Sequence, residues 1–550
     1  MSIWTNTMLI VLGLFILPAS LSAQTIGLAD LHKQAKELEN GRHWLEACQV
    51  YDEILHRDRT RDDIHEAYQR CLRRYHIVHR HRDKVYRQAL TRVTPTQALE
   101  MYEQVLDTVA RAYVDRQKTG PAALFRQGIE ELRLALAEPV FRQEYFPGVA
   151  RETVDAFRTK LDDWRKRKIT SRSDARTQVM AVGRTAQQIC SGSRSILLTV
   201  ITLEFLSGAC NALDEYTFFL TPGHYREVQA ALRGRLVSIG VDLGVVEGHL
   251  EIIRVYPNSP AWEQRLLPHD RILRINGQLA DAWSAEFAAK RLRGEPDSVV
   301  KLEVLRASPT MDSRNIELRR RPVVVPSVEY ELKLAKIDVG DGMDTYVPVG
   351  KLRINCFQET TLQEVKEALA SLQTDGMKVL ILDLRGNPGG LFKSAVQVAE
   401  LFLPEGIIVV SQSHVLPKDR KLTGPIRVES MNPLLVPMIV VIDGDTASSA
   451  EVLAGALKEN GRAKLIGQTT FGKGSIQCII PLEKPPFDKM PGGIRITVAK
   501  LLSPNWQPFS GKGIQPHIFS TSDGDALLEE AQHILLDLLV KSMQPMVMPN

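Results

Sequence analysis

"PMIVVIDGDTASSAEVLAGALKENGRAKLIGQTTFGKGSIQ" (437–477) is the stretch that decides the fold of this chain. Its apolar run, 437–443, stops abruptly and is followed by small residues, a helical pattern and a second apolar run. The same theme precedes it, where "KVLILDLRGNPGG" (378–390) ends in a glycine-rich turn and "LFKSAVQVAELFL" (391–403) follows as an amphipathic helix. Strands that are apolar throughout usually lie in the middle of a sheet covered on both faces. The pattern therefore predicts an α/β core over residues 320–545.

Two adjacent serines, Ser448 and Ser449, stand where the predicted helix of this stretch begins. The first turn of a helix has unpaired N–H groups and a partial positive charge of about half an elementary charge. Both features favour a nearby anion, including the oxyanion of a tetrahedral intermediate. Serine is also a common N-cap, so either serine alone is explained by capping.

A lysine between two glycines, Lys473 in "FGKGSIQ" (471–477), is the candidate base for such a serine. A serine hydroxyl is a weak nucleophile without a base, and burial lowers the pKa of a lysine because desolvation disfavours its charged form. If this segment is extended, Lys473, Ser475 and Gln477 share one face, and Gln477 could then orient the amine. The motif lacks the form of a phosphate-binding loop, which sets nucleotide binding aside.

Histidine is the more usual base, and a Ser–His hydrolase is the alternative. The chain has no G-x-S-x-G elbow. His414 and His517 are the nearest histidines in sequence, and neither lies in a recognisable motif. The sequence therefore favours lysine as the base.

Residues 232–308 contain short β-like runs separated by turns. Within them, "YPNSPAWEQRLLPHDRILRINGQ" (256–278) resembles a PDZ domain. PDZ domains bind a peptide C-terminus by adding it as a strand at an open sheet edge. The resemblance implies that backbone N–H groups of Ser238, Ile239 and Gly240 hold the terminal carboxylate. The strand containing Val241 and Leu243 would then pair with the peptide, whereas a module used only for packing is the alternative.

Residues 24–205 are predicted to be helical, because apolar residues recur at helical spacing. "LADLHKQAKELENGRHWLEACQVYDEIL" (28–55) resembles a tetratricopeptide helix pair, although no clean period of about 34 residues follows. An irregular bundle is the alternative. Helical repeats are interaction devices, so this region could bind a protein partner. The run "ILLTVITLEFL" (196–206) is interrupted by Glu204 and predicts a buried helix.

The N-terminus, residues 1–23, resembles a secretory signal. An apolar run, "MLIVLGLFIL" (8–17), precedes the small residues "PASLSA" (18–23), with cleavage expected after Ala23. The run is shorter than the roughly 20 residues that span a bilayer. We therefore expect an exported protein, periplasmic or otherwise extracytoplasmic. Membrane contact is expected only if the segment stays uncleaved as an anchor.

Motifs in the second half of the chain resemble the C-terminal processing peptidases, also called tail-specific proteases. They are "DLRGNPGG" (383–390), "TASSAEVLAGALKENGRAKLIG" (446–467) and "TFGKGSIQ" (470–477), with "LDEYTFFLTPGHY" (213–225) ahead of the PDZ-like part and "GKGIQP" (511–516) near the end. The resemblance implies a crotonase- or Clp-like α/β core, to which residues 206–231 contribute. It also implies a PDZ domain that captures unstructured, apolar C-terminal tails of protein or peptide substrates.

The same resemblance assigns the catalytic residues. Ser448 is the implied nucleophile, Lys473 the base and Gln477 the residue that orients the base. The implied oxyanion hole uses the N–H of Ser449 and one N–H from the turn Gly389–Gly390. The family often has alanine and serine where this chain has Ser449 and Ala450, so Ser449 is an alternative nucleophile.

Composition narrows the remaining classes of function. The formal net charge of +4 on 550 residues gives no reason to expect nucleic acid as a partner. The six cysteines are scattered without a C-x-x-C pair, which disfavours structural zinc. We expect no metal and no other cofactor. The rival from another class is a non-catalytic scaffold built from the helical region and the PDZ-like module.

Overall fold

The computed structural model describes most of the 550 residues. The residues described are 8–12, 27–58, 61–190, 196–246, 248–280, 283, 285–294, 297–306, 312–337, 345–413, 423–429, 432–522 and 524–543. The expected signal segment, 1–23, lies outside them except for residues 8–12. The histidine candidate His414 also lies outside them.

The N-terminal part is one strand, which the sequence did not predict, followed by a helical region, which the apolar spacing did predict. Its elements are β1 (Met8–Leu12), α1 (Leu28–Asn40), α2 (Trp44–Arg57), α3 (Asp62–Arg82), α4 (Lys84–Leu90), α5 (Pro95–Ala112), α6 (Pro121–Ala137), α7 (Pro139–Tyr145), α8 (Arg151–Arg165), α9 (Arg172–Ile189) and α10 (Ile196–Asn211). Helix α5 begins with a capping box, in which Thr94 and Gln97 satisfy each other's backbone N–H groups, and with Pro95 in its first turn.

Helix α10 is buried along almost its whole length, as expected for a run that is apolar on every face. Its single charge, Glu204, accepts hydrogen bonds from Arg80 at 2.7 Å and from the ring of His81 at 2.9 Å. Arg80 also contacts Glu131 on α6 at 3.2 Å. This buried network ties α3, α6 and α10 together. Among the described residues, no helix is long and apolar enough to cross a membrane.

The middle of the chain forms the PDZ domain. Its elements, with the short segment that precedes it, are β2 (Phe218–Leu220), α11 (Pro222–Leu232), β3 (Arg235–Ser238), β4 (Val241–Val246), β5 (His249–Val255), α12 (Pro260–Glu263), β6 (Arg271–Ile275), β7 (Gln278–Leu279), α13 (Ala285–Leu292), β8 (Val299–Leu305), β9 (Ser313–Arg319) and β10 (Arg321–Val324). Strands pair in the order β4-β5-β6-β8-β9, and β10 pairs with β3. The domain has a hydrophobic core of its own, from Ile239 to Leu318.

The remainder is the α/β core with mixed sheets. Its elements are β11 (Val328–Ile337), β12 (Thr345–Ile354), α14 (Thr361–Thr374), β13 (Val379–Asp383), β14 (Gly389–Leu391), α15 (Phe392–Glu400), β15 (Ile407–Gln412), β16 (Gly424–Arg427), β17 (Met438–Ile442), α16 (Ser449–Glu459), β18 (Lys464–Gly467), β19 (Ser475–Leu482), β20 (Gly492–Leu502), β21 (Ile518–Phe519) and α17 (Gly524–Met543).

Two sheets build this core. One has the order β11-β12-β13-β17-β18-β21 and is parallel from β12 onward. The apolar strands β13 and β17, of which β13 ends at Asp383, lie adjacent in its middle and are buried throughout, as predicted. The other sheet is antiparallel, with the order β14-β1-β19-β20-β15-β16 and with β2 on β20.

Strand β1 lies between β14 and β19 and pairs antiparallel with both. Ile10 lies opposite Leu391 on one side and Gln477 on the other, and Val11 lies opposite Gly390. The N-terminal segment therefore occupies a slot one strand wide between two core strands. The sequence did not predict this pairing.

One continuous hydrophobic core joins the helical region to the α/β core. It includes residues of α5, α6 and α10 together with residues of β13, β17 and α16. The backbone N–H of Val114, just after α5, donates to Thr497 O on β20 at 2.9 Å. The helical region is thus packed directly against the sheet that contains β19 and β20.

Candidate active site

Ser448, the predicted nucleophile, lies at the sharp turn between β17 and α16. It is the N-cap residue of α16 and is fully buried in the structure. Its backbone has φ 66° and ψ −117°, whereas an ordinary N-cap residue is in the β region. A non-glycine residue held there costs about 1–3 kcal/mol and persists only when its surroundings impose it. Capping alone therefore does not explain this serine.

Asp443 holds the turn that precedes Ser448. Its carboxylate accepts from the backbone N–H of Thr446 at 2.8 Å and from that of Gly386 at 3.0 Å. Burial raises its pKa, while these hydrogen bonds oppose the shift. Because Gly386 belongs to the turn after β13, one side chain fixes two neighbouring turns at the same edge of the parallel sheet. The sequence analysis did not identify Asp443.

Glu451, on the first turn of α16, joins the serine segment to the lysine segment. Its Oε2 accepts from Ser448 N at 2.6 Å and from Lys473 N at 2.8 Å. Its Oε1 accepts from Thr470 Oγ1 and from Gly472 N, both at 2.6 Å. The backbones of Ser448 and Lys473 are therefore adjacent to a single carboxylate oxygen. The sequence analysis missed Glu451, although its spacing three residues after Ser448 is that of a capping box.

Lys473, the predicted base, is almost completely buried, with 2% of its surface exposed. Burial first, and then the positive charge of Arg495, lower its pKa well below the ordinary value for lysine. Glu215, Asp214 and Glu451 act in the opposite direction. Its Nζ lies 4.4 Å from the centre of the Tyr216 ring. This environment therefore favours the neutral amine over the ammonium more than water does.

Gln477 is fully buried on β19, two residues after the strand begins. Its Nε2 donates to Ser475 Oγ at 2.9 Å and to Thr497 Oγ1 at 3.3 Å, and its Oε1 accepts from Arg495 Nη2 at 3.4 Å. Lys473 precedes the strand, and the ladder with β20 is irregular between Ile476 and Gln477. Ser475 and Gln477 do share one face, as the alternation predicts.

The turn Gly389–Gly390 lies against the start of α16. Ser449 Oγ donates to Gly390 O at 3.1 Å. Gly389 N donates to Asn387 Oδ1 at 2.9 Å, and Asn387 O accepts from Ala447 N at 2.9 Å. The fold therefore brings the residues predicted for the oxyanion hole next to the residues predicted for the dyad.

The predicted peptide-binding residues lie at the start of β4 in the PDZ domain. Ile239 is fully buried, and its O accepts from Ala261 N at 2.9 Å, while Gly240 O accepts from Tyr256 N at 3.0 Å. Ser238 ends β3, and Val241 and Leu243 pack against the domain's core. Strand β4 is at the edge of its sheet and has α13 beside it.

The other expected features can be placed as well. The Nδ1 of His517 accepts a hydrogen bond from Leu465 N at 3.0 Å. The ring of this histidine candidate is therefore bound to the backbone of β18. All six cysteines are free thiols in the structure.

Comparison with known proteins agrees with this architecture. Residues 348–520 match the model of peptidase family S41, and residues 228–305 match that of the PDZ domain. The chain is 34% identical over 308 residues to the carboxyl-terminal-processing protease of Synechocystis sp., which covers 55% of this chain and 67% of that relative. It is 28% identical over 314 residues to the carboxy-terminal processing protease CtpA of Bacillus subtilis, and this match covers 57% of this chain and 62% of that relative.

A solved structure of a photosystem II D1 C-terminal processing protease is also similar, with a TM-score of 0.40 and 20% identity over 77% of this chain and 93% of that one. The sequence relatives are named as proteases, which leaves the non-catalytic scaffold without support. The chain therefore belongs to the carboxyl-terminal processing proteases of peptidase family S41, and it is a serine protease with a PDZ domain.

Proposed function

We propose that this protease is an exported endopeptidase that cleaves unstructured polypeptides with apolar C-terminal tails, using Ser448 as nucleophile and Lys473 as base. One observation carries the assignment of the dyad. Glu451 Oε2 accepts from the backbone N–H of both residues, at 2.6 and 2.8 Å, while the Lys473 side chain is buried. A buried lysine whose backbone lies next to that of a serine at the start of a helix supports lysine-assisted acyl transfer, in which the neutral amine activates the hydroxyl.

In the proposed reaction, neutral Lys473 takes the hydroxyl proton as Ser448 Oγ attacks the scissile carbonyl carbon. The resulting ammonium then gives the proton to the leaving amine. An acyl-enzyme remains, and Lys473, neutral again, takes a proton from the water that attacks the ester. The bond between the acyl carbon and Ser448 Oγ then breaks, and Lys473 returns the proton to Ser448 Oγ as the acid product leaves. Only the neutral amine starts either half of the reaction, so the rate must fall as the pH decreases through the folded-state pKa of Lys473.

The oxyanion is proposed to bind the N–H of Ser449, in the first turn of α16, and the N–H of Gly390. The helix start adds partial positive charge at the position where negative charge develops. Gly389 donates its N–H to Asn387 at 2.9 Å, which supports Gly390 as the donor from this turn.

We assign the slot between β14 and β19 to the substrate. Strand β1 pairs there with the strand of Gly389 and Gly390 and with the strand of Gln477. An extended peptide in its place would gain backbone hydrogen bonds on both sides and would cross between the oxyanion turn and the dyad. Strand addition needs an unstructured segment, which agrees with a preference for disordered tails.

The PDZ domain is proposed to capture the free C-terminus. Edge strand β4 would pair with the peptide, while the N–H groups of Ser238, Ile239 and Gly240 would hold the carboxylate. Val241 and Leu243, which pack against the same core as Ala288 and Leu292, support a pocket for an apolar last residue.

The N-terminal sequence, 1–23, supports export to the periplasm or another extracytoplasmic space, with membrane contact only if that segment stays attached. Residues 24–205 are proposed to provide a surface for a protein partner, in addition to packing against the core.

The test uses an unstructured peptide with an apolar C-terminus, offered as the free acid and as the amide. We expect a lower KM for the free acid, and no turnover above background by S448A or K473A. For the unmodified enzyme, we expect kcat/KM to rise with pH until Lys473 is fully neutral. A K473A variant with full activity at neutral pH would refute the dyad.

The matched control is S449A, because Ser449 is the adjacent serine. A fluorophosphonate probe labels the activated serine covalently. S449A should still be labelled, whereas S448A should not. Labelling of S448A and loss of labelling in S449A would move the nucleophile by one residue.

A further inference from the structure

A second buried basic residue, Arg495, contacts the glutamine that follows the lysine of the proposed dyad. Arg495, on β20, is 5% exposed, and its register partner on β19 is Ile479, two residues after Gln477. Alternation along both strands places Gln477, Thr497 and Arg495 on one face of this ladder. The neighbouring strand β2 pairs Phe218 with Arg495 on the other side.

The contacts of Arg495 orient the Gln477 amide. A guanidinium only donates hydrogen bonds, so the group that faces its Nη2 at 3.4 Å must be the oxygen Oε1. The Nε2 is then directed at Ser475 and Thr497, as observed. Phe218 covers the guanidinium, with 5.4 Å between Cζ and the ring centre. The position of Arg495 thus determines which end of Gln477 faces which neighbour.

The charge of Arg495 also acts on Lys473. After burial, Arg495 is the strongest influence that lowers the pKa of Lys473. The groups that oppose it are Glu451 on α16 and Asp214 and Glu215 ahead of β2, and the Tyr216 ring under Nζ favours the cation as well. Burial lowers the pKa of Arg495 itself to about 10, so it remains charged at neutral pH.

Other titratable groups face Arg495 from the helical side. His224 on α11 and His76 on α3 contact the same Phe218 ring, with centres 5.8 and 5.1 Å away. Burial lowers the pKa of His224 to about 3 and that of His76 well below its ordinary value. Both rings are therefore neutral near pH 7, and the charge beside Lys473 belongs to Arg495.

A buried cation is costly, and a neutral side chain of similar size could fill the same space between β2 and β19. The free-energy cost of burying this cation is explained if its charge has a function in the site. We propose that Arg495 is a positioning residue of the catalytic centre, which fixes the Gln477 amide and supplies a buried positive charge to the surroundings of Lys473. This inference rests on the proposed Ser448–Lys473 dyad.

The test compares kcat/KM as a function of pH for the unmodified enzyme, R495M, R495Q and R495K. In R495M and R495Q the charge is absent, so Lys473 holds its proton to higher pH. The acid limb is the part of the profile in which kcat/KM falls as the pH decreases. We expect this limb to move to higher pH by about one unit, with activity recovering at alkaline pH. R495K keeps the charge, so its acid limb should stay in place while kcat falls several-fold because the Gln477 contact is lost.

The matched control is R462M. Arg462 is partly buried, whereas Arg495 is buried, and Arg462 donates to the backbone carbonyls of Phe402, Leu434 and Val436 instead of the catalytic groups. This variant should lower the melting temperature and leave the acid limb unchanged. The control separates a general loss of stability from an effect on Lys473.

Each outcome decides between the alternatives. Unshifted acid limbs in R495M and R495Q would overturn the proposal while leaving the dyad intact, provided that K473A is inactive. If neither neutral variant folds and R495K behaves like the unmodified enzyme, Arg495 is structural and the proposal is wrong. An active K473A would remove the dyad itself, which is a distinguishable failure.

Discussion

Adding one methyl group at Gly390 should disable the protease, and the structure gives the size of the effect. Gly390 has φ 141°, a conformation that L side chains rarely adopt. A Cβ there would overlap the carbonyl oxygen of Phe357 and lie 2.8 Å from its carbonyl carbon and nitrogen. All three are backbone atoms, so the clash cannot be relieved by a change of rotamer.

Relief requires a shift of β14 of roughly 1 Å, because non-bonded carbon atoms prefer about 3.5–4.0 Å. That shift would disrupt two hydrogen bonds, Phe357 N to Gly389 O and Leu391 N to Phe357 O, each 2.8 Å long. With about 1 kcal/mol for each bond and about 1–3 kcal/mol for the backbone conformation, we expect G390A to lose about 3–5 kcal/mol of unfolding free energy. Displacing an oxyanion donor by this distance should lower kcat by about 100-fold or more.

The assay combines urea denaturation with steady-state hydrolysis of an unstructured peptide. The matched control is G376A, since Gly376 also has positive φ, 88°, and nothing lies within 4 Å of its hypothetical Cβ. G376A should lose about 1 kcal/mol of unfolding free energy and keep full activity. If G390A is as stable and as active as G376A, the proposed donor and the close approach to Phe357 are both wrong.

Three further outcomes are expected. S448G and S448A should both be inactive, but S448G should be more stable by about 1 kcal/mol in urea denaturation, because glycine tolerates the positive φ; equal stability would argue against strain. A chain that retains residues 1–23 should have a KM about tenfold higher or more than a chain lacking them, since β1 competes for the slot at a high effective concentration; equal KM values would exclude that competition. R80A should lose about 3–5 kcal/mol of unfolding free energy, because it leaves the buried carboxylates of Glu131 and Glu204 without their arginine partner. A loss below about 1 kcal/mol would show that these carboxylates are solvated or protonated.

The strands of the core could be predicted from the sequence because their pattern is local. An unbroken apolar run such as 438–442 has one plausible place, the middle of a covered sheet, and β17 lies there. The PDZ domain, the helical region and the family were likewise correct, because each depends on short motifs or on periodicity.

The surroundings of Lys473 could not be predicted in the same way. Tyr216 and Arg495 reach the site only because β2 and β19 both pair with β20, and strand order is not encoded in any local spacing. The hypothesis that Gln477 orients the amine stays a prediction, since its hydrogen bonds to Ser475, Thr497 and Arg495 do not test it. The pairing of β1 was missed because composition indicated only a leader.

The helical region also contributes to the chemistry of the site. Tyr113, just after α5, donates its hydroxyl to Asp214 at 3.2 Å, and Asp214 Oδ1 accepts from Tyr216 N at 3.0 Å. Tyr216 in turn lies under the amine of Lys473. A contact between the helical region and the loop before β2 thus supports the ring that lies against the buried amine. Without that contact we expect water to reach Lys473 and to favour its protonated form, so that the proposed dyad would lose its base even though Ser448 kept its place.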